Sequence, residues 1–79
     1  MTHVKQEGIY QTGISKVIVY LTNGGIIDSH EVDSIGTIID ESGQSWFEIN
    51  YDTKNFFDSL SIPLENVLYF KTTYPKEKV

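Results

Sequence analysis

Apolar side chains come in short bursts along this chain, and polar turn residues separate them. KVIVYL, residues 16 to 21, is dense in β-branched and aromatic side chains and reads as a strand partly covered on both faces. Asn23-Gly24-Gly25 follows, the strongest short hairpin signal in the chain, and Asn-Gly predicts a type I′ turn. IIDSHEV then returns antiparallel. DSIG, 33 to 36, breaks the pattern and TIID, 37 to 40, resumes it. ESGQ, 41 to 44, is a second polar turn. SWFEINY alternates cleanly, placing Phe47, Ile49 and Tyr51 on one face as core and Trp46, Glu48 and Asn50 on the other.

The later half is less regular. Asp52 to Asn55 is polar, and Phe56-Phe57 with Leu60 and Ile62 fits one helical turn or an irregular strand. Pro63 bars a central strand at that point. IPLENV predicts a short 3₁₀ turn ahead of a last strand, VLYFKTT. The first 14 residues read as a docked arm or a short strand from Gly8 to Gln11. Five strands at short spacing, with turn chemistry between them, predict an all-β fold. The expected architecture is a small five-stranded antiparallel partly open barrel, with a short helical turn near 54–60 as an option. Residues 1–79 are expected to form one domain: an arm over 1–14, the barrel over 15–72 and a tail over 73–79.

Val17, Val19, Leu21, Asn23 and Gly24 follow a V-x-V-x-L-x-N-G pattern, and Val67 to Phe70 form a late short apolar strand. This layout resembles the Sm-like and other SH3-like small barrels. The resemblance implies a strongly bent second strand and a late strand that pairs with a neighbouring subunit. It does not imply RNA binding. The family's second motif uses an Arg-Gly pair, and this chain has no arginine and nothing equivalent near Leu60 to Val67.

Composition narrows the function. The net charge is −5, and all six basic residues are lysines. A nucleic-acid partner is therefore disfavoured, and a protein partner with a basic surface is favoured. There is no cysteine, so neither a disulfide nor a thiolate metal site is available. No segment approaches the ~18 apolar residues of a membrane helix, and MTHVKQEGIYQTG lacks the apolar region of a secretory leader. A cytoplasmic location follows, the host cytoplasm if the chain is of viral or mobile-element origin.

Candidate chemistry is sparse. Asp28 and His30 share a strand face about 6–7 Å apart, so a metal site there needs a third ligand, with His3 and Asp40 the available donors. Ser29 and Glu31 point the other way, which excludes a triad from consecutive residues. No metal and no cofactor are expected, and the Asp28/His30 strand reads as the solvated half of a hairpin. Asp40 and Glu41, with Asp33 nearby, read as turn acids rather than an acid–base pair. Asn23-Gly24-Gly25 precedes a strand, not a helix, so it is not a phosphate loop. Phe56 and Phe57 cannot both face one core from a strand, so one of them is an interface aromatic or a lid over the barrel end. Trp46 and Tyr20 both lie opposite the core faces of their strands, and they form either an outward aromatic patch, the interface reading, or a small second core under the N-terminal arm.

These features predict a non-enzymatic acidic binding module, an inhibitor or adaptor. It would self-associate and hold its partner through edge strands and aromatic anchors. The alternative is an oligomer holding a nucleotide-like ligand between subunits. That ligand would stack on Trp46, Phe56 or Phe57, with Lys16, Lys54 or Lys71 neutralising phosphate.

Overall fold

The computed structural model of the protein describes the backbone of residues 5–51 and 58–75, and the side chains of 10–51 and 58–75. The described chain is antiparallel β-structure with one 3₁₀ turn. Its strands are β1 (Lys5–Thr12), β2 (Lys16–Leu21), β3 (Ile26–His30), β4 (Val32–Ile39), β5 (Ser45–Tyr51), β6 (Asp58–Pro63) and β7 (Val67–Thr73). They form a four-stranded sheet in the order β1-β4-β5-β6 and a three-stranded sheet in the order β3-β2-β7. The five expected runs are all strands. The arm's strand alternative is also met, as β1, and β6 is the further strand.

Alternation explains the core. Val17 and Val19 of β2, Ile35 of β4, and Phe47 and Ile49 of β5 are fully buried, with Ile14, Val32 and Ile62 beside them. In β2 and β5 the buried residues alternate with more exposed ones, whereas β4 is buried at Ser34, Ile35 and Gly36 in succession and Ile14 joins from the link between β1 and β2. The buried apolar residues form one cluster between the two sheets. Phe47 and Phe70 meet across the sheets with ring centroids 5.0 Å apart. One polar contact also spans the sheets. Buried Ser29 Oγ and Tyr51 OH lie 2.7 Å apart and share a hydrogen bond, which satisfies both hydroxyls.

Both hairpin turns have the same construction. Leu21 N–H donates to Gly25 O and Gly24 N–H to Leu21 O; in the second, Asp40 N–H donates to Gln44 O and Gly43 N–H to Asp40 O. Gly24 and Gly43 have φ of +91° and +89°, while Asn23 is not in the positive-φ region. These are three-residue loops ending on a left-handed glycine, not the type I′ turn that Asn-Gly predicts. Asn23 serves instead through its side chain, whose Oδ1 accepts from Gly25 N–H at 2.8 Å.

Two further expectations need correction. The break predicted at residues 33–36 falls earlier, at Glu31 alone, and β4 runs unbroken through Asp33-Ser34-Ile35-Gly36. Glu31 has φ +56°, and there the path leaves the three-stranded sheet and enters the four-stranded one. The helical turn offered near 54–60 is not present at 58–60, which belong to β6. Their pairing with Asn50, Tyr51 and Ile49 satisfies the backbone in extended form. Residues 54–57 lie outside the described residues. Pro63 closes β6, an outer strand, where a missing N–H is tolerated, and the expected 3₁₀ turn follows at Leu64–Asn66.

Glu31 gives a direct test of this bend. A non-glycine residue at positive φ costs roughly 1–2 kcal/mol, and a β-branched one more. Glu31→Gly is expected to leave stability unchanged or raise it by up to about 1 kcal/mol, and Glu31→Val to lower it by about 2 kcal/mol. Urea unfolding of the two variants reads the difference. Equal stabilities would show that the bend is not conformationally demanding.

Candidate functional site

Among the described residues, three of the exposed large hydrophobic side chains, Ile26, Leu68 and Tyr69, lie on β3 and β7 of the three-stranded sheet. Because Val17 and Val19 point inward, Lys16, Ile18 and Tyr20 must point out. The strand register then fixes their neighbours. Ile26, Tyr20 and Tyr69 form one row across β3, β2 and β7; Asp28, Ile18 and Lys71 form the next; His30, Lys16 and Thr73 form the third.

The first row is aromatic and apolar. Tyr20 and Tyr69 stack with centroids 4.5 Å apart and planes inclined by 17°. Ile26 is 61% exposed and Tyr69 49%. Beside them a bulge in β7 inserts Leu68 between the partners of Tyr20 and Leu21, and that extra side chain is 63% exposed. Lys71 lies over the face, its Nζ 5.7 Å from the Tyr20 ring centre.

The second and third rows carry the charge. Asp28 Oδ1 is 3.5 Å from His30 Nε2, and both side chains are exposed. They share a face, as their spacing requires, and among the described residues no third ligand joins them. Among the described residues no three His, Asp or Glu side chains are grouped to hold a metal ion. His3 lies outside the described residues. Asp40, the other expected donor, is engaged elsewhere. Its Oδ1 accepts from Ser42 N–H, Ser42 Oγ and Gln44 N–H at 2.9, 2.7 and 3.0 Å, and its Oδ2 accepts from Trp46 Nε1 at 2.9 Å. The Ser42 hydroxyl first, then the Trp46 indole N–H and the backbone amides, hold this carboxyl at about 2 against an ordinary 3.8.

That contact corrects the expected aromatic patch. Trp46 lies on β5 of the other sheet, between Ile38 and Pro63 in register, half-buried and tied to Asp40. Tyr20 finds Tyr69 instead. Each aromatic lies on the face opposite its strand's core residues, but the two faces belong to different sheets. Phe56, Phe57 and Lys54 lie outside the described residues. Ile18, Ile26, Leu68 and Tyr69 are the members of the face that sequence reasoning passed over. The alternation of β2 marks Ile18 as a companion of Tyr20, but the others follow only from strand pairing.

An open groove of about 410 Å³ lies between the second turn and the 3₁₀ turn, lined by Gly43, Gln44, Ser45, Leu64 and Glu65. Its polar side chains are the Glu65 carboxylate, the Gln44 amide and the Ser45 hydroxyl, and among these lining residues Glu65 has no second acid or base to pair with. No helix of the described residues is long and apolar enough to cross a membrane. Compared with family models, curated proteins and solved structures, the chain matches none.

Proposed function

We propose that this chain is a non-enzymatic acidic protein-binding module with an SH3/Sm-like layout, an inhibitor or adaptor working in the cytoplasm. It acts through the outer face of the three-stranded sheet and the strands that border it. The observation that carries this reading is the exposed cluster of Ile26, Leu68 and Tyr69 around the Tyr20 stack. Tyrosine is enriched at interfaces because it offers a large rigid surface at little entropic cost. β3 and β7 are the outer strands of the sheet that bears the cluster, so a partner can add backbone hydrogen bonds to side-chain contacts. The net charge of −5 favours a basic partner surface and a salt-sensitive association rate. The bend at Glu31, the pairing of β2 with both β3 and β7, and the 3₁₀ turn before the last strand support the barrel layout.

A photo-crosslinking residue at Tyr69, compared with one at exposed Asp33 on the other sheet, tests the reading in source cells. Tyr69 is expected to yield a discrete protein adduct that Asp33 does not. A small-molecule adduct at Tyr69 would favour the ligand alternative, to which Lys16 and Lys71 on the same face are suited. Equal adducts at both positions would sink the assignment of the face.

A further inference from the structure

We infer that the outer face of the three-stranded sheet is self-complementary and that, without a foreign partner, a second copy of this chain covers it. The inference rests on the reading of this face as a protein-binding surface and names its occupant.

The argument lies in the symmetry of the rows about β2. Ile26–Tyr20–Tyr69 is apolar at both ends. Asp28–Ile18–Lys71 has opposite charges at its two ends and an apolar centre. Now place a two-fold axis in the plane of the interface, running along β2. It leaves each row opposite itself and exchanges β3 with β7. Asp28 of each copy then faces Lys71 of the other, Ile26 faces Tyr69, Ile18 faces Ile18 and Tyr20 faces Tyr20. A closed isologous contact needs this: each patch must be its own complement under rotation. Two aligned sheets pack about 10 Å apart and within about 30° of each other, which keeps the central rows opposed. His30 faces Thr73. Lys16 meets its own copy only at the end of the face, where a long stem lets the ammonium reach water.

The face is small. Three strands about 4.8 Å apart and a six-residue central strand give a footprint on the order of 300 Å² of sheet plane. That places the contact among weak, concentration-dependent interfaces, well below the ~800 Å² per partner of a tight one. A weak self-contact is one that a better-matched partner displaces.

The test uses two single variants of the whole chain, Asp28→Lys and Lys71→Glu, both at exposed positions. Sedimentation over roughly 1 µM to 1 mM brackets a weak interface. The wild-type chain is expected to rise from one protomer to two and stop. Each variant alone opposes like charges at two symmetric places and is expected to weaken the dimer on the order of tenfold or more. An equimolar mixture of the two is expected to recover a one-to-one heterodimer. In it the lysine introduced in one copy meets the glutamate introduced in the other, and the remaining native Asp28 meets the remaining native Lys71. Asp28→Lys and Lys71→Glu combined in one chain are expected to let it dimerise with itself. A misfolded variant cannot be rescued by mixing, so the mixture separates a broken interface from a broken fold.

A wild-type chain that stays monomeric throughout, variants that dimerise like wild type, or a mixture that fails to pair would each overturn the inference. So would growth past two protomers, the mark of open edge-to-edge pairing. A monomer whose Tyr69 probe still captures a foreign protein would overturn the inference and leave the proposed function standing. A charge-swappable dimer whose Tyr69 probe captures only its own chain would do the reverse.

Discussion

Phe47→Ala is expected to unfold the domain at room temperature or leave it without fixed packing. Phe47 is 1% exposed, at the centre of β5 between Thr37 and Ile62. Its ring meets Phe70 of the opposite sheet, so the truncation removes contacts within one sheet and between the two. Burying such a ring contributes through apolar area and through the cavity its loss would leave, together about 3–5 kcal/mol. Domains as a class are stable by only about 5–15 kcal/mol, and one of 79 residues without a disulfide belongs near the low end. The loss is therefore comparable to the whole stability. Urea unfolding followed by far-UV circular dichroism measures it. Leu68→Ala is the contrast, since a 63% exposed side chain should change stability by no more than about 0.5 kcal/mol. A large destabilisation from Leu68→Ala would mean that Leu68 belongs to the core. A small one from Phe47→Ala would mean that the core does not centre where the burial places it.

The difference between those two residues shows which parts of the molecule are legible in the sequence. Phe47 is identifiable as core because alternation along one strand is a local property, and the same logic assigns Val17, Val19 and Ile49 correctly. Tyr20 falls on an outer face for the same reason. Its partner is not legible. Tyr20 meets Tyr69 because β2 pairs with the last strand of the chain, and no local pattern specifies a register between strands so far apart in sequence. The turn type escapes the sequence because Asn23-Gly24-Gly25 allows both a two-residue and a three-residue loop. Only the pairing of Leu21 with Gly25 decides between them. The break at Glu31 is hidden because its residue type carries no turn signal, whereas Gly36 carries one and sits inside a strand. Gly36 is buried there, between Tyr10 and Glu48 in register, so the surrounding strands supply the order that glycine lacks. The dual role of Asp40 is also beyond sequence reading. A turn acid is what the pattern predicts, but its grip on the indole depends on where β5 begins.

Asp40→Asn is expected to loosen the second hairpin and to abolish an acid transition seen by the chain's single tryptophan. The carboxylate is the acceptor at the centre of this turn. One oxygen takes three hydrogen bonds from Ser42 and Gln44, and the other takes one from the Trp46 indole. An amide has one acceptor oxygen and a donor group. It can serve Ser42 and Gln44 or the indole, and at the other side it opposes a donor with a donor. The direction of the pH effect follows from the lowered pKa. The folded state holds the carboxyl at about 2, while its ordinary value is 3.8, so the folded protein binds this proton less readily than the unfolded chain. The contribution to stability is fully present above about 4 and is lost as pH falls through about 2. The other carboxylates titrate in the same region, so the quantity to compare is the difference between the wild-type chain and Asp40→Asn at each pH. That difference should be constant from neutral pH to about 4 and close toward 2. Trp46 emission in the folded wild-type chain should titrate near 2, and in the variant should show no such step. A step near 3.8 would mean that the indole and hydroxyl bonds do not hold the charged form in solution. A gap that persists unchanged to pH 2 would mean that the variant acts through turn geometry alone. The sole tryptophan would then report a structural contact, with Asp40 contributing no pH-dependent stability.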